Sequence, residues 1–249
     1  MVCNEHNENS MKVLLTGAGG RIGPHILPAF QERYDLRVLD RSPISGLDDV
    51  IISDLQDVNV LKTAMEGVDV VVHLAATADE APFIDDLVPN NVIGLYNILQ
   101  SAVDVGVKRF VFASTVQTTR PWQSPLPVRA ADPPRPVSLY GATKAFGENM
   151  GRYYHDKYGL QFIAVRIGWF QAYDSPELKR NGGASAIWLS PADAVQVLQK
   201  AVETPDVGYA VVFATSKTSK EVLSLQEARD ILGYAPLDDV RDYGATKTE

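Results

Sequence analysis

A phenol and an ammonium stand four residues apart at Tyr140 and Lys144, within the run Leu139-Tyr-Gly-Ala-Thr-Lys144. In a helix, positions i and i+4 share a face, so the two side chains can point the same way. A phenol titrating near pH ~10 is a poor base at neutrality, and a neighbouring cation favours its ionised form. Such a pair can draw a proton from an alcohol while a hydride leaves the same carbon. Upstream, Ser114 and Thr115 follow the apolar run 108–113. Either hydroxyl can hold the reacting oxygen, or simply bond local backbone at a strand end. Tyr-x-x-x-Lys alone is a common helix-surface pair, so its surroundings must decide.

The second set is a loop, Thr16-Gly17-Ala18-Gly19-Gly20-Arg21-Ile22-Gly23, directly after the apolar run 12–16. Gly17, Gly20 and Gly23 permit a tight turn, close backbone approach to a pyrophosphate and close helix–strand contact. The helix that follows offers free N–H groups and a partial positive charge to phosphates. A strand–glycine loop–helix unit therefore reads as a dinucleotide site. Asp40 ends the next strand, 17 residues after Gly23. A carboxylate there accepts from an adenosine ribose and repels a 2′-phosphate, which favours NAD over NADP, although Arg41 follows it directly. Asp54 and Leu55 follow a third short strand, in position to meet the adenine edge.

These groups need a frame. Apolar runs at 12–16, 36–40, 50–53, 68–74, 108–113 and 161–167 alternate with helical patterns at 21–33, 57–66, 84–105 and 138–158. Continuous apolar strands alternating with helices predict an α/β fold, a doubly wound parallel sheet of Rossmann type covered on both faces. Ligands in such sheets sit beyond the carboxyl ends of the strands, where each motif above falls. After residue 168 the pattern turns irregular and aromatic, then gives a capped helix at 191–203, a strand at 208–214 and a helix at 225–232. The domain reading is a flexible leader over 1–10, a core over 11–168, a small substrate lobe of the same domain over 169–240 and a flexible tail over 241–249.

Composition narrows the class. With 249 residues, the chain can bury roughly 70–75% of its unfolded surface. Lys and Arg number 23 against 31 Asp and Glu, a net charge of −8. That balance argues against nucleic-acid and anionic-membrane partners, which need a basic footprint. One cysteine, Cys3, excludes an internal disulfide. No run of about 18 apolar residues is long enough to span a bilayer. No metal-ligand pattern is read, and the expected compartment is the cytoplasm.

Taken together, these motifs make the chain resemble the short-chain dehydrogenase/reductases, specifically their extended, NAD-dependent epimerase/dehydratase branch. The likeness rests on T-G-A-G-G-R-I-G at 16–23, D-L at 54–55, H-L-A-A at 73–76, Asn91, F-A-S-T at 112–115, Y-G-A-T-K at 140–144 and L-G-Y-A-P at 232–236. It implies that Tyr140 is the base, Lys144 its helper and holder of the nicotinamide ribose, and Thr115 the orienting hydroxyl, with Ser114 the neighbouring alternative. It also implies that Leu74, Ala75 and Ala76 line the cofactor with backbone and that Asn91 lies on the helix behind the site, among the cofactor-binding residues with Gly17, Gly20, Arg21, Ile22 and Gly23.

Within that branch, N-V-I-G-L-Y-N at 91–97, L-Y-G-A-T-K-A-F-G-E-N at 139–149 and V-R-I-G at 165–168 are similar to the uronate dehydrogenases, short NAD enzymes that oxidise a sugar acid at its anomeric carbon to a lactone. The substrate side departs from them. Val116 and Gln117 stand where they carry Asn-His, and Ala78 stands where they carry a serine. Gly182 and Gly183 fall near their carboxylate-binding arginine, and Arg180 is out of register with it. Without that planar fork a free uronate is disfavoured. Thr77, Ala78, Val116, Gln117 and Trp169 are the expected substrate contacts. Trp122, Phe170 and Trp188 are further candidates for an aromatic wall, though at least two of the four aromatics are expected in the core.

The implied activity is NAD-dependent oxidation of a sugar or sugar-acid hydroxyl by Tyr/Lys/Thr-assisted hydride transfer. The alternatives are a sugar or nucleotide-sugar epimerase or dehydratase and, in another class, a non-catalytic NAD(P)-sensing protein. The partner expected besides a carbohydrate is a second copy of the chain. Homodimers or higher homo-oligomers would form through the helices at 84–105 and 138–158.

Overall fold

The computed structural model describes residues 10–120, 125–180, 184–218 and 220–243. Cys3, Trp122, Gly182 and Gly183, most of the expected leader and the end of the expected tail lie outside them. Seven parallel strands form the central sheet: β1 Lys12–Thr16, β2 Asp35–Asp40, β3 Val50–Ile52, β4 Val70–His73, β5 Arg109–Thr115, β6 Gln161–Ile167 and, late in the chain, Tyr209–Ala214. Their order is β3-β2-β1-β4-β5-β6, closed by Tyr209–Ala214. The order reverses between β1 and β4, and a crevice opens there. The carboxyl ends of β2 and β5 deliver Asp40 and Thr115 to that crevice, while Thr16 and His73 at the ends of β1 and β4 are buried beneath it.

Each strand is apolar along its length because helices cover both faces. On one face α1 (Gly23–Arg33) packs beside the helix Pro191–Glu203, over a core including Val13, Leu15, Phe30, Val111 and Val165. On the other, α2 (Val58–Met65), α3 (Leu95–Asp104) and α4 (Leu139–Tyr158) cover Leu14, Val71, Phe110, Phe112 and Phe162. Pro28 sits inside α1 on its solvent face, and the helix runs on past it.

The helix expected at 84–105 does not wind uniformly. Phe83–Gly94 forms a π-helix and only Leu95–Asp104 is α-helical. The wider winding begins with Leu87 N–H donating five residues back to the Pro82 carbonyl. Pro89, lacking an N–H, could not have completed a regular α-helical ladder there.

The segment after Gly168 is more ordered than its composition suggests. A short parallel pair, β7 (Trp169–Phe170) with β8 (Trp188–Leu189), brackets a five-residue helix α5, Pro176–Arg180. The helix Pro191–Glu203 becomes α6, the seventh sheet strand β9, and the helix Gln226–Leu232 α7. Thus the segment supplies one strand of the main sheet and one helix of its first layer as well as the β7–β8 flap. No helix among the described residues is long and apolar enough to cross a membrane.

Candidate active site

The glycine loop is folded by its contacts. Gly17 has φ +75°, and a Cβ on it would lie 2.4 Å from the Ala75 backbone nitrogen, so the loop lies flush against the end of β4. Gly23 is packed against Ala18, where a Cβ would meet the carbonyl oxygen at 2.0 Å, and it supports the loop from behind. The first turn of α1 has no side-chain cap and no acidic residue, which leaves its N–H groups for an anion. Asp40 braces the rim, accepting from Gly19 N at 2.9 Å and Ser42 N at 3.1 Å.

Two connected cavities open above the sheet. The larger, about 540 Å³, runs from Gly17 and Gly20 past Asp40 and Arg41 to Asp54 and Leu55, with Leu74–Ala78 along its other wall. The smaller, about 240 Å³, lies between Arg21, Ile22, Thr115, Tyr140, Lys144 and Trp169. Gly17, Gly20, Leu74, Ala76 and Ala78 line both. A flush glycine loop, uncapped helix N–H groups and a rim carboxylate fit a dinucleotide with its pyrophosphate at the junction. In that fit, the backbone N–H groups of Gly17, Gly20, Arg21 and Ile22 would hold the phosphates, the Arg21 side chain being paired with Asp79, and Asp40 would hold the adenosine ribose.

Helix α4 carries the phenol and the amine. Ser138 caps it, accepting from Gly141 N at 2.8 Å. A Cβ on Gly141 would lie 2.3 Å from the Gln117 carbonyl oxygen, so the first turn of α4 sits directly against the end of β5. Tyr140 and Lys144 consequently share the small cavity with Thr115. Lys144 is fully buried, with Nζ 4.8 Å from the Phe112 ring centre and 5.7 Å from that of Tyr140. Burial draws its pKa down to about 7.

The phenol behaves differently from the expectation that a neighbouring cation lowers it. Burial pushes Tyr140 well above its ordinary value, Asp79 pushes it further, and Arg21 acts against both. Burial disfavours the charge of Lys144 too, and the charged groups that move the phenol are Asp79 and Arg21.

The two strand-end hydroxyls part company. Ser114 Oγ donates to Glu148 Oε1 at 2.6 Å. Glu148 in turn receives a two-pronged bond from Arg166, at 2.9 Å from Nε and 2.7 Å from Nη2, and both partners are almost wholly buried. Ser114 thus serves this cluster, although it also borders the cavity. Thr115 accepts a long bond from Gln117 N at 3.3 Å and keeps its own proton to donate. Sequence reading missed Glu148 and Arg166. Glu148 lies one further helical turn beyond Lys144 on the same face, and that spacing was the available signal.

Asn91, expected among the cofactor contacts, lines neither cavity. It is buried behind the cleft, accepting from Thr77 N at 2.8 Å and donating to Thr77 O at 2.9 Å and Thr143 Oγ1 at 3.1 Å. Its short polar side chain staples the loop after β4 to α4, and its neighbour Asn90 faces the larger cavity instead. His73 likewise points inward, bonded to Thr16 Oγ1 at 2.8 Å and set against Phe110 and Phe112. Burial lowers its pKa to about 3.

Of the expected substrate contacts, Ala78, Val116, Gln117 and Trp169 line the small cavity and Thr77 the larger. Phe170 and Gln171 join them. Trp188 is a core residue, fully buried against Leu178 and Val240, its Nε1 donating to the Gln171 carbonyl at 3.0 Å. Arg120, Arg129, Arg135 and Arg180 are exposed and line neither cavity.

Comparison with known proteins agrees with this geometry. Residues 13–177 match the model of the NAD dependent epimerase/dehydratase family. An NAD-dependent glucose-6-phosphate dehydrogenase of Haloferax volcanii is 37% identical, the match covering 93% of this chain and 95% of that protein. An L-arabinose 1-dehydrogenase (NAD(P)(+)) of the same organism is 36% identical over 96% of this chain and 99% of its own length. A uronate dehydrogenase from Agrobacterium tumefaciens, solved as a mutant complexed with NAD, superposes with a TM-score of 0.83 at 28% identity, covering 94% of this chain and 87% of that one.

Proposed function

The chain belongs to the NAD-dependent epimerase/dehydratase family, and from that premise we propose that it is an NAD-dependent dehydrogenase of a sugar or sugar-acid hydroxyl, the anomeric one, releasing a lactone. The observation that carries this reading is one cleft in which the glycine loop and Asp40 run directly into Thr115, Tyr140 and Lys144. When bound, the oxidised nicotinamide supplies the acceptor for the hydride from the sugar carbon.

The protein's own groups handle the proton. Thr115 donates to the sugar oxygen and fixes it beside Tyr140. Tyr140, ionised, takes the hydroxyl proton as the carbon–oxygen bond becomes a carbonyl. Because burial raises the phenol's pKa, its ionisation must be assisted. Lys144 is the group in reach to do so once it is charged, and its ammonium also holds the neighbouring ribose. Leu74, Ala75 and Ala76 present backbone to the cofactor. Trp169, Phe170 and Gln171 close the sugar side.

Accumulation of NADH, followed by its near-ultraviolet absorbance against a panel of sugars, tests the reading. An epimerase or dehydratase returns its cofactor oxidised and accumulates none, and a sensor turns nothing over. We also propose a homodimer. Ile84, Ile93 and Tyr96 on one helical run and Leu139, Phe146 and Tyr153 on α4 are exposed apolar side chains on two adjacent helices, a surface that a second copy would cover. Light scattering should give twice the chain mass of 27.2 kDa.

A further inference from the structure

Arg21 and Asp79 join the glycine loop to the loop after β4, Nη1 to Oδ2 at 2.5 Å, and both line the small cavity. They and Lys144 are the only charged residues among the described ones that line it. Lys144 is buried against the Phe112 and Tyr140 rings, and in the reading above its ammonium is taken by the cofactor ribose. Among the described residues the cavity therefore holds one accessible cation, and it is already paired with an acid.

The remaining wall is neutral. Gln117 accepts from Ser138 Oγ at 2.6 Å through its amide oxygen, which leaves its amide nitrogen to donate. Gln171 does the same with Ser175 Oγ at 2.7 Å. Trp169 and Phe170 supply the aromatic surface. Amide donors, a threonine hydroxyl and ring faces match hydroxyls and C–H faces. The positively charged side chains nearby in sequence are engaged elsewhere or lie outside. Arg180 bonds Glu177 at 3.0 Å, and Arg129 faces Glu227 at 3.7 Å. Residues 121–124 and 181–183 contain no charged side chain.

A carboxylate or phosphate on the sugar would have to pull Arg21 from Asp79 and leave that acid in the same wall. The Asp79 charge also reaches the Tyr140 oxygen, where it outweighs Arg21. Resting on the dehydrogenase reading above, we infer that the site selects an uncharged aldose and discriminates against the uronate and the phosphate ester of the same ring, with Asp79 holding Arg21 away from anionic substituents.

Matched sets test this: glucose, glucuronate and glucose 6-phosphate, and galactose, galacturonate and galactose 6-phosphate, with L-arabinose added. The expected result is a kcat/KM for the neutral sugar above that of its charged partners by about tenfold or more. In Asp79→Asn the ratio should move towards the anions by about tenfold, since Arg21 is released and the acid is gone. Asparagine tolerates the left-handed backbone at this position, φ +61°, so the variant should keep the fold. A higher kcat/KM for a uronate or sugar phosphate, or a ratio unmoved in Asp79→Asn, overturns the inference. Should no sugar be oxidised, the dehydrogenase reading fails by itself. Saturation-transfer NMR on the NADH-loaded protein then reads the selection directly: signals from the neutral sugars uphold it, and signals from the charged ones alone overturn it.

Discussion

The two ends of the cleft are built from different materials. The end between Gly17 and Asp40 is mostly backbone: a loop pressed onto Ala75, an uncapped helix and one rim carboxylate. The end around Tyr140 is side chain, drawn from the glycine loop, β5, α4 and the β7–β8 flap. Backbone sites depend on where glycine is permitted, and glycine spacing is visible in a sequence. Side-chain sites depend on which neighbour captures which polar atom, as Glu148 captures Ser114 and leaves Thr115.

Substitutions can break or sharpen this contrast. Tyr140→Phe should lower kcat by about 10²–10⁴ while NAD still binds in a fluorescence titration, because the far end of the cleft is untouched. Undiminished turnover would detach the phenol from the chemistry. Next, Thr115→Val should cost about 10²–10³ in kcat. Ser114→Ala should cost far less activity and about 1–3 kcal/mol of stability in urea unfolding, since a buried carboxylate loses a donor. Equal kinetic losses would put both hydroxyls at the reacting oxygen.

At the backbone end, Asp40→Ala should lower kcat/KM for NAD by about 10–100-fold and leave NADP less affected, so the ratio of the two moves towards NADP. The smallest effect is on stability. Burial lowers Lys144 to about 7 when folded, whereas an unfolded lysine keeps its proton to about 10. Between those values the unfolded chain binds the extra proton, so stability of the ligand-free protein rises with pH across that window. Denaturation at its two ends should show this slope, and Lys144→Met should flatten it. His73 gives a second slope of the same sign at acid pH. The unfolded ring takes a proton near ~6.5 and the folded one only near about 3, so stability falls as pH drops through that interval.

Much of the frame was legible because its signals are local. The strands at 12–16 and 161–167 and the helix at 191–203 form over those residues, and Ser138 and Gly159 bound α4 as helix-end residues do. What escaped depends on contacts between distant residues. The π-helical winding at Phe83–Gly94 surrounds a proline that the amphipathic pattern hides. Asn91 reads as a site residue because it lies near the site, yet its hydrogen bonds face Thr77 and Thr143. The pairing of Glu148 with Arg166 joins a helix to a strand, and opposite charges 18 residues apart carry no signature. The upward shift of Tyr140 follows from burial that only the assembled cleft provides.

The buried cluster of Ser114, Glu148 and Arg166 rivets β5, α4 and β6 together beneath the reacting groups, and Arg166 extends to the Ala130 carbonyl at 3.2 Å. Trp169, Phe170 and Gln171, which line the small cavity and are proposed to face the sugar, lie outside that rivet. Reprogramming which sugar is accepted is thus a separate engineering problem from preserving turnover. Libraries should randomise the flap and keep Glu148 and Arg166 fixed.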